Sequence, residues 1–215
     1  MSSTIAVFGG TGYAGSNIAR EAASRGHQVT ATARTLATET IDGIEYRQGS
    51  LHDEVFVTEV AQNSDVIVVA LPAREIDGKK LGDAIPALIT AARAGNTRIG
   101  IVGGAGSLQV QADGPRLVDG DDFPEEYKPE SLAHSAVLDQ FRSSADGVDW
   151  FYLSPAAHFG SFNPGEKTGR YRTGGDVLLT DDSGVSDISG ADYAVAFVDE
   201  IDAPQHSGKR FSVAY

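Results

Sequence analysis

The sequence predicts an α/β fold: a doubly wound parallel sheet with helices on both faces and a small C-terminal appendage. Three observations carry that expectation. Short apolar runs alternate with amphipathic segments over the first two thirds of the chain. The apolar runs are continuous rather than alternating, as in Val66-Ile67-Val68-Val69-Ala70, which suits strands covered on both faces. A glycine-rich stretch separates the first apolar run from the first amphipathic segment, where the chain must turn sharply.

In chain order, a strand over 4–8 leads to a helix over 14–25 that stops at Gly26. Strands over 28–34 and 44–47 follow, then a helix over 53–62. A strand over 65–71 precedes a third helix over 84–94, ended by Gly95. Pro86 cannot sit deep inside a helix, so this helix is expected to begin near it. A strand over 98–102 comes next. The helix over 131–145 carries Ala133, Val137 and Phe141 on one buried stripe. A strand over 149–153 completes the alternation, and such alternation implies right-handed crossovers.

The last third reads differently. Residues 154–175 are rich in Gly, Pro, Ser and Asn and show little periodicity. A hairpin-like stretch is expected around 177–180 and 184–188. Ser189 reads as the N-cap of a helix over 190–201, with Asp192 completing a capping box. A strand over 210–214 closes the chain. This third is too short and too poor in core residues for a second domain. Residues 1–215 are therefore expected to form one domain, with a substrate-side loop and appendage at about 154–190.

Composition narrows the function classes. The 215 residues include 30 acidic and 17 basic side chains, a net charge of −13. That balance argues against nucleic acid and against anionic membrane surfaces as partners. With no cysteine, disulfide scaffolds and thiolate metal sites are excluded, and a reducing, cytoplasmic location is expected. The start Met1-Ser2-Ser3-Thr4 lacks the basic and apolar regions of a signal peptide, and no run approaches the roughly 18 apolar residues of a membrane span. No His, Asp or Glu spacing suggests a metal site.

The sharpest motif is Phe8-Gly9-Gly10-Thr11-Gly12-Tyr13-Ala14-Gly15, between the first strand and the first helix. Two frames fit, Gly9, Gly12 and Gly15 or Gly10, Gly12 and Gly15. In either, glycine permits the turn, lets backbone N–H groups approach a pyrophosphate, and packs the helix close to the sheet. The helix N-terminus adds unpaired donors and a positive dipole end. A dinucleotide site is the expectation, and the absence of G-x-x-x-x-G-K-[ST] argues against a P-loop. Strand two ends Thr32-Ala33-Arg34-Thr35, without the acid that holds the ribose 2′-hydroxyl in NAD sites. Arg34 suits a 2′-phosphate, so NADP(H) is expected over NAD(H).

Together with Gly49-Ser50-Leu51-His52-Asp53 after strand three, these features resemble the atypical short-chain dehydrogenase/reductases. Within them the chain is similar to the NAD(P)H-binding, NADH-flavin reductase family, relatives of NmrA-like and biliverdin reductase B-type proteins. The stretches Val102-Gly103-Gly104-Ala105-Gly106-Ser107-Leu108, Asp149-Trp150 through Ala157, Pro164 through Arg172 and Ile188 through Ala194 match the family pattern. The resemblance implies a Rossmann fold with cofactor contacts from Gly9, Thr11, Gly12, Tyr13, Gly15, Arg34, Ser50, Leu51, Ala70, Leu71, Pro72 and Gly103. The family often has Asp where Ser50 stands.

Typical short-chain dehydrogenases use Tyr-x-x-x-Lys for proton transfer. Here Tyr127-Lys128-Pro129-Glu130-Ser131 puts Ser131 at the lysine position, so the pair is absent in that register. Ser107, after strand five, and His134, on the helix that would flank a nicotinamide, are the candidate catalytic residues. Their structural alternatives are a turn-capping serine and a half-exposed helix histidine. Ala156, His158 and Tyr171, after strand six, are the candidate substrate residues. Hydride transfer to a stacked flavin or quinone needs no protein acid. The expected function is thus NAD(P)H-dependent reduction of a flavin, quinone or similar planar acceptor, with FMN among the candidates. The alternative is a non-catalytic, NAD(P)-sensing, NmrA-like regulatory protein. The expected partner is a small molecule, and the oligomeric state is left open.

Overall fold

The computed structural model describes residues 2–35 and 40–215; Met1 of the N-terminal stretch read above lies outside them. Its strands are β1 (Thr4–Phe8), β2 (Gln28–Ala33), β3 (Ile44–Gln48), β4 (Val66–Val69), β5 (Arg98–Val102), β6 (Trp150–Ser154), β7 (Arg172–Gly174) and β8 (Lys209–Ala214). Its helices are α1 (Tyr13–Ser24), α2 (Glu54–Gln62), α3 (Leu81–Gly95), α4 (Lys128–Ser144) and α5 (Gly190–Asp202). The strands form one sheet in the order β3-β2-β1-β4-β5-β6-β8-β7. Every pairing is parallel except β7 with β8.

Continuous apolar sequence becomes continuous burial: every residue of β4, β5 and β6 is buried. On one face α2, α3 and α4 cover a core that includes Ile67, Ile85, Leu88 and Phe141. On the other, α1 and α5 cover Ile5, Ile18, Phe151 and Phe197. Each such side chain contributes about 1.5–3 kcal/mol by leaving water. The chain leaves β1 toward β2 on one side and returns to β4 on the other. This reversal opens a crevice at the carboxyl ends of β1 and β4.

Three local expectations are corrected. Helix α3 begins at Leu81, more than a turn before Pro86. Asp83 accepts from Lys80 N (3.0 Å) and fixes that start, while the buried stripe Leu81, Ala84, Ile85 and Leu88 pulls the first turn into the core. Pro86 faces solvent there, at the cost of the one hydrogen bond it would have made to Gly82. The expected hairpin forms no ladder. Asp181 N donates to Val185 O (2.8 Å), but Val177 bridges to Gln109 instead, and the ladder strand is β7, too short to show a period.

The capping box at α5 is half made. Ser189 Oγ accepts from Asp192 N (3.0 Å), whereas Ser189 N donates to the Tyr215 hydroxyl (3.1 Å). Asp192 is drawn outward by Thr168 N (2.9 Å) and Gly169 N (2.7 Å). Helix α4 begins at Lys128 with Pro129 in its first turn, where proline is tolerated. Its buried stripe includes His134 and Leu138 beside Val137 and Phe141, with Ala133 half-buried at its margin.

Candidate functional site

The crevice is a cleft of about 480 Å³ lined from the ends of β1, β2 and β4 and the turn after β3. Its floor is the glycine turn. Gly9 has φ of +82°, and a Cβ there would lie 2.2 Å from Ala70 O. A Cβ on Gly10 would lie 2.6 Å from the Ala31 Cβ, and one on Gly15 2.2 Å from Gly9 O. Both frames of the motif are therefore occupied by necessity. Gly12 is different: it is the N-cap of α1, its φ is −79°, and its nearest obstacle is Gly9 O at 3.3 Å. No acid occupies the first turn of α1, and its N-cap, Gly12, has no side chain to cap it. That leaves backbone donors and the positive dipole end facing the cleft, a cradle shaped for phosphate.

Gly9, Thr11, Gly12, Arg34, Ser50, Leu51, Ala70, Leu71 and Pro72 all line the cleft. Three of the expected contacts do not. Gly15 packs beneath the turn. Tyr13 points away, its hydroxyl accepting from Gly190 N (2.9 Å). Gly103 is buried against Tyr152, whose ring a Cβ would meet at 2.0 Å. These are supports of the turn and of β5 rather than cleft walls.

The outer end of the cleft carries the charge. Arg34, Arg74 and Lys79 line it, with Asp77 the one acid among the described lining residues. The Arg34 guanidinium lies 2.8 Å from the Asp77 carboxylate, with both side chains exposed, 66% and 76%. His52 is pushed down from its ordinary value by burial and then by Lys79. Arg74 is anchored to α4: Glu130 accepts from Ala73 N (2.7 Å) and from Arg74 Nη1 (2.9 Å). Burial alone would raise Glu130, but those bonds and His134 hold it at about 2. Thr32, His52, Arg74, Ile76, Asp77 and Lys79 were not legible as site residues. The Asp77-Gly78 pair signals a tight turn, yet nothing local says that the turn folds back over β2.

The expected catalytic and substrate residues lie elsewhere. Ser107 Oγ accepts from Arg210 Nη1 (3.0 Å), and Arg210 also binds Asp176. His134 is buried, not half-exposed, at 8%. Its Nε2 lies 3.1 Å from Glu130, and its Nδ1 has no partner among the described residues. Tyr152, beside it, accepts from Gly104 N (3.1 Å) and donates to His134 O (3.2 Å), and burial pushes its hydroxyl well above the ordinary value. Ala156 is buried in the core. His158 is exposed, its N donating to Ser186 O (3.0 Å). Tyr171 donates to Asp199 on α5. None of the five is a wall of the cleft. Among the described residues no cluster of His, Asp or Glu could hold a metal ion, and no helix is long and apolar enough to cross a membrane.

Known proteins bear on this geometry. A family model described as NAD(P)H-binding matches residues 9–204. The uncharacterized Bacillus subtilis protein YwnB is 36% identical, covering 97% of both chains. A putative NADH-flavin reductase from Streptococcus pneumoniae is 32% identical over 99% of each chain, with a TM-score of 0.81. A putative epimerase from Bacteroides thetaiotaomicron is 31% identical over 100% of this chain and 98% of its own, with a TM-score of 0.88.

Proposed function

This chain belongs to the NAD(P)H-binding family of atypical short-chain dehydrogenase/reductases, and we propose that it reduces a flavin, quinone or similar planar acceptor, taking NADPH in preference to NADH. The observation that carries the cofactor preference is the charge at the outer end of the cleft. In a chain of net charge −13, Arg34, Arg74 and Lys79 all line the cleft, which supports reading Arg34 as the group that holds an adenosine 2′-phosphate. Gly9, Thr11 and Gly12 would hold the pyrophosphate through backbone donors. Leu71 and Pro72, at the end of β4, would pack on apolar parts of the dinucleotide.

The bound nicotinamide supplies a hydride. The protein's part is to stack the acceptor against it and exclude water. The Tyr/Lys pair that alcohol chemistry requires is missing, and Tyr152 is locked between Gly104 N and His134 O. A planar acceptor that takes hydride directly fits this better than a carbonyl that must be protonated in place. The resemblance to an NADH-flavin reductase points the same way.

The test is cofactor binding followed by turnover. NADPH should bind more tightly than NADH, and Arg34→Ala should weaken NADPH about tenfold to a hundredfold, as loss of a charge-assisted contact implies. NADH affinity should barely change. FMN, riboflavin or a quinone should then sustain NADPH oxidation. Equal affinity for the two cofactors would overturn the preference. Binding without turnover on any acceptor would overturn the reductase and leave a cofactor sensor.

A further inference from the structure

The Arg34–Asp77 contact has a role beyond surface pairing. Asp77 sits in the loop between β4 and α3, at the first of the two central positions of a tight turn. Ile76 N donates to Lys79 O (2.9 Å) and Lys79 N to Ile76 O (3.1 Å). Asp77 has φ of 53° and Gly78 of 74°, both left-handed, as a type I′ turn requires. The turn reaches across the outer end of the cleft, and its carboxylate meets the guanidinium at the end of β2. The other end of the loop is pinned by Glu130, which binds Ala73 N, Arg74 N and the Arg74 side chain. The carboxylate is thus presented to Arg34 by a short, doubly anchored loop.

A carboxylate and a phosphate offer a guanidinium the same fork of oxygens. An adenosine 2′-phosphate that bound Arg34 would have to displace Asp77 from it and would meet its negative charge. A ribose 2′-hydroxyl carries no charge and needs neither.

We propose that Asp77 is a specificity-determining residue of the cofactor site: it competes with the 2′-phosphate for Arg34 and so narrows the gap between NADPH and NADH. The inference rests on the reading of Arg34 as the 2′-phosphate ligand. It adds a built-in competitor, contributed by a loop far from β2 in sequence. Exposed ion pairs are weak, so the competition trims the preference without abolishing it.

The experiment is a cycle of Asp77→Asn and Arg34→Ala, with dissociation constants measured for NADPH and NADH and the melting temperature recorded for each variant. Asn tolerates the left-handed conformation and suits this turn as well as Asp does, so Asp77→Asn should melt as the wild type. Asp77→Asn should tighten NADPH about threefold to fivefold and shift NADH less than twofold. In the Arg34→Ala background the same substitution should leave NADPH affinity within about twofold, because the contested group is gone. Unchanged NADPH affinity in Asp77→Asn, with Arg34→Ala still weakening it, would overturn the role of Asp77 and keep the role of Arg34. An equal gain in both backgrounds would show simple charge removal and also overturn competition. If Arg34→Ala leaves NADPH binding intact, the underlying assignment itself fails.

Discussion

At the residue scale the four glycines of the first turn separate into two kinds. Gly9, Gly10 and Gly15 are required by the protein itself, since a Cβ would lie 2.2–2.6 Å from neighbouring atoms. Gly12 is less constrained, because its own backbone is in an ordinary extended conformation and a Cβ would press only on Gly9 O, at 3.3 Å, a tight contact that a shift of a few tenths of an ångström relieves. Gly12 also lines the cleft, where its backbone would approach a pyrophosphate. Gly12→Ala should therefore lose less stability than Gly15→Ala while losing NADPH affinity by about tenfold or more. Gly15→Ala should lose stability first, by the 1–3 kcal/mol typical of overpacking. Calorimetry and cofactor titration on the two variants check this. Gly12→Ala binding normally would show that the pyrophosphate does not approach that backbone.

At the element scale, the segment before β7 is tied to α5 at two carboxylates, Asp199, which accepts from Tyr171, and the fully buried Asp192. Asp192 is 0% exposed and accepts from Thr168 N, Thr168 Oγ1, Gly169 N and the Tyr215 hydroxyl (2.6 Å). Burial alone would raise its pKa, but these donors, Tyr215 foremost, outweigh it and hold the carboxyl below its ordinary value. A depressed folded value means the stabilisation is complete above the unfolded value of about 3.9 and fades as pH falls through the folded one. Asp192→Asn should cost about 2 kcal/mol near neutrality, with that deficit shrinking below about pH 4. Thermal unfolding of both proteins between pH 3 and 7 reads it directly. A deficit independent of pH would mean the charge is not what matters.

The same element shows where the sequence stopped being readable. Strands announced themselves by continuous apolar runs, helices by period, and the glycine turn by its place between them. The order placed a site at the carboxyl ends of the strands, and the resemblance named the lining residues after β1, β2, β3 and β4. What escaped depended on contacts remote in the chain. Asp192 looks like half of a local capping box, and only Thr168 and Tyr215, distant in sequence, show why it is not. Strand β7 has three residues and no detectable period. Asp77, Arg74 and Lys79 sit in a charged loop indistinguishable from any solvated loop until it folds back on Arg34. His134 was read from its place on a helix and Tyr171 from a family-like stretch, but the directions of their side chains are set by packing.

At the scale of the whole molecule, charge acts at two ranges with opposite sign. A net charge of −13 repels the polyanionic cofactor from far away. Arg34, Arg74 and Lys79, of which the first two are partly offset by Asp77 and Glu130, attract it close to the cleft. Which effect dominates depends on the screening length, about 30 Å at 0.01 M salt and about 10 Å at 0.1 M. At the lower concentration the approaching cofactor meets the field of the whole acidic surface. At the higher one it feels chiefly the cations that line the cleft. The NADPH association rate should therefore rise as salt increases from 0.01 M to about 0.1 M, then fall as the local attraction is screened in turn. Stopped-flow binding across that range would show a maximum. Neutralising Lys79 with glutamine should flatten the falling limb and leave the rising one, because the bulk charge hardly changes. A rate that only declines from the lowest salt upward would mean that the cleft's own cations govern approach at every distance, and that the acidic surface is electrostatically remote from the site.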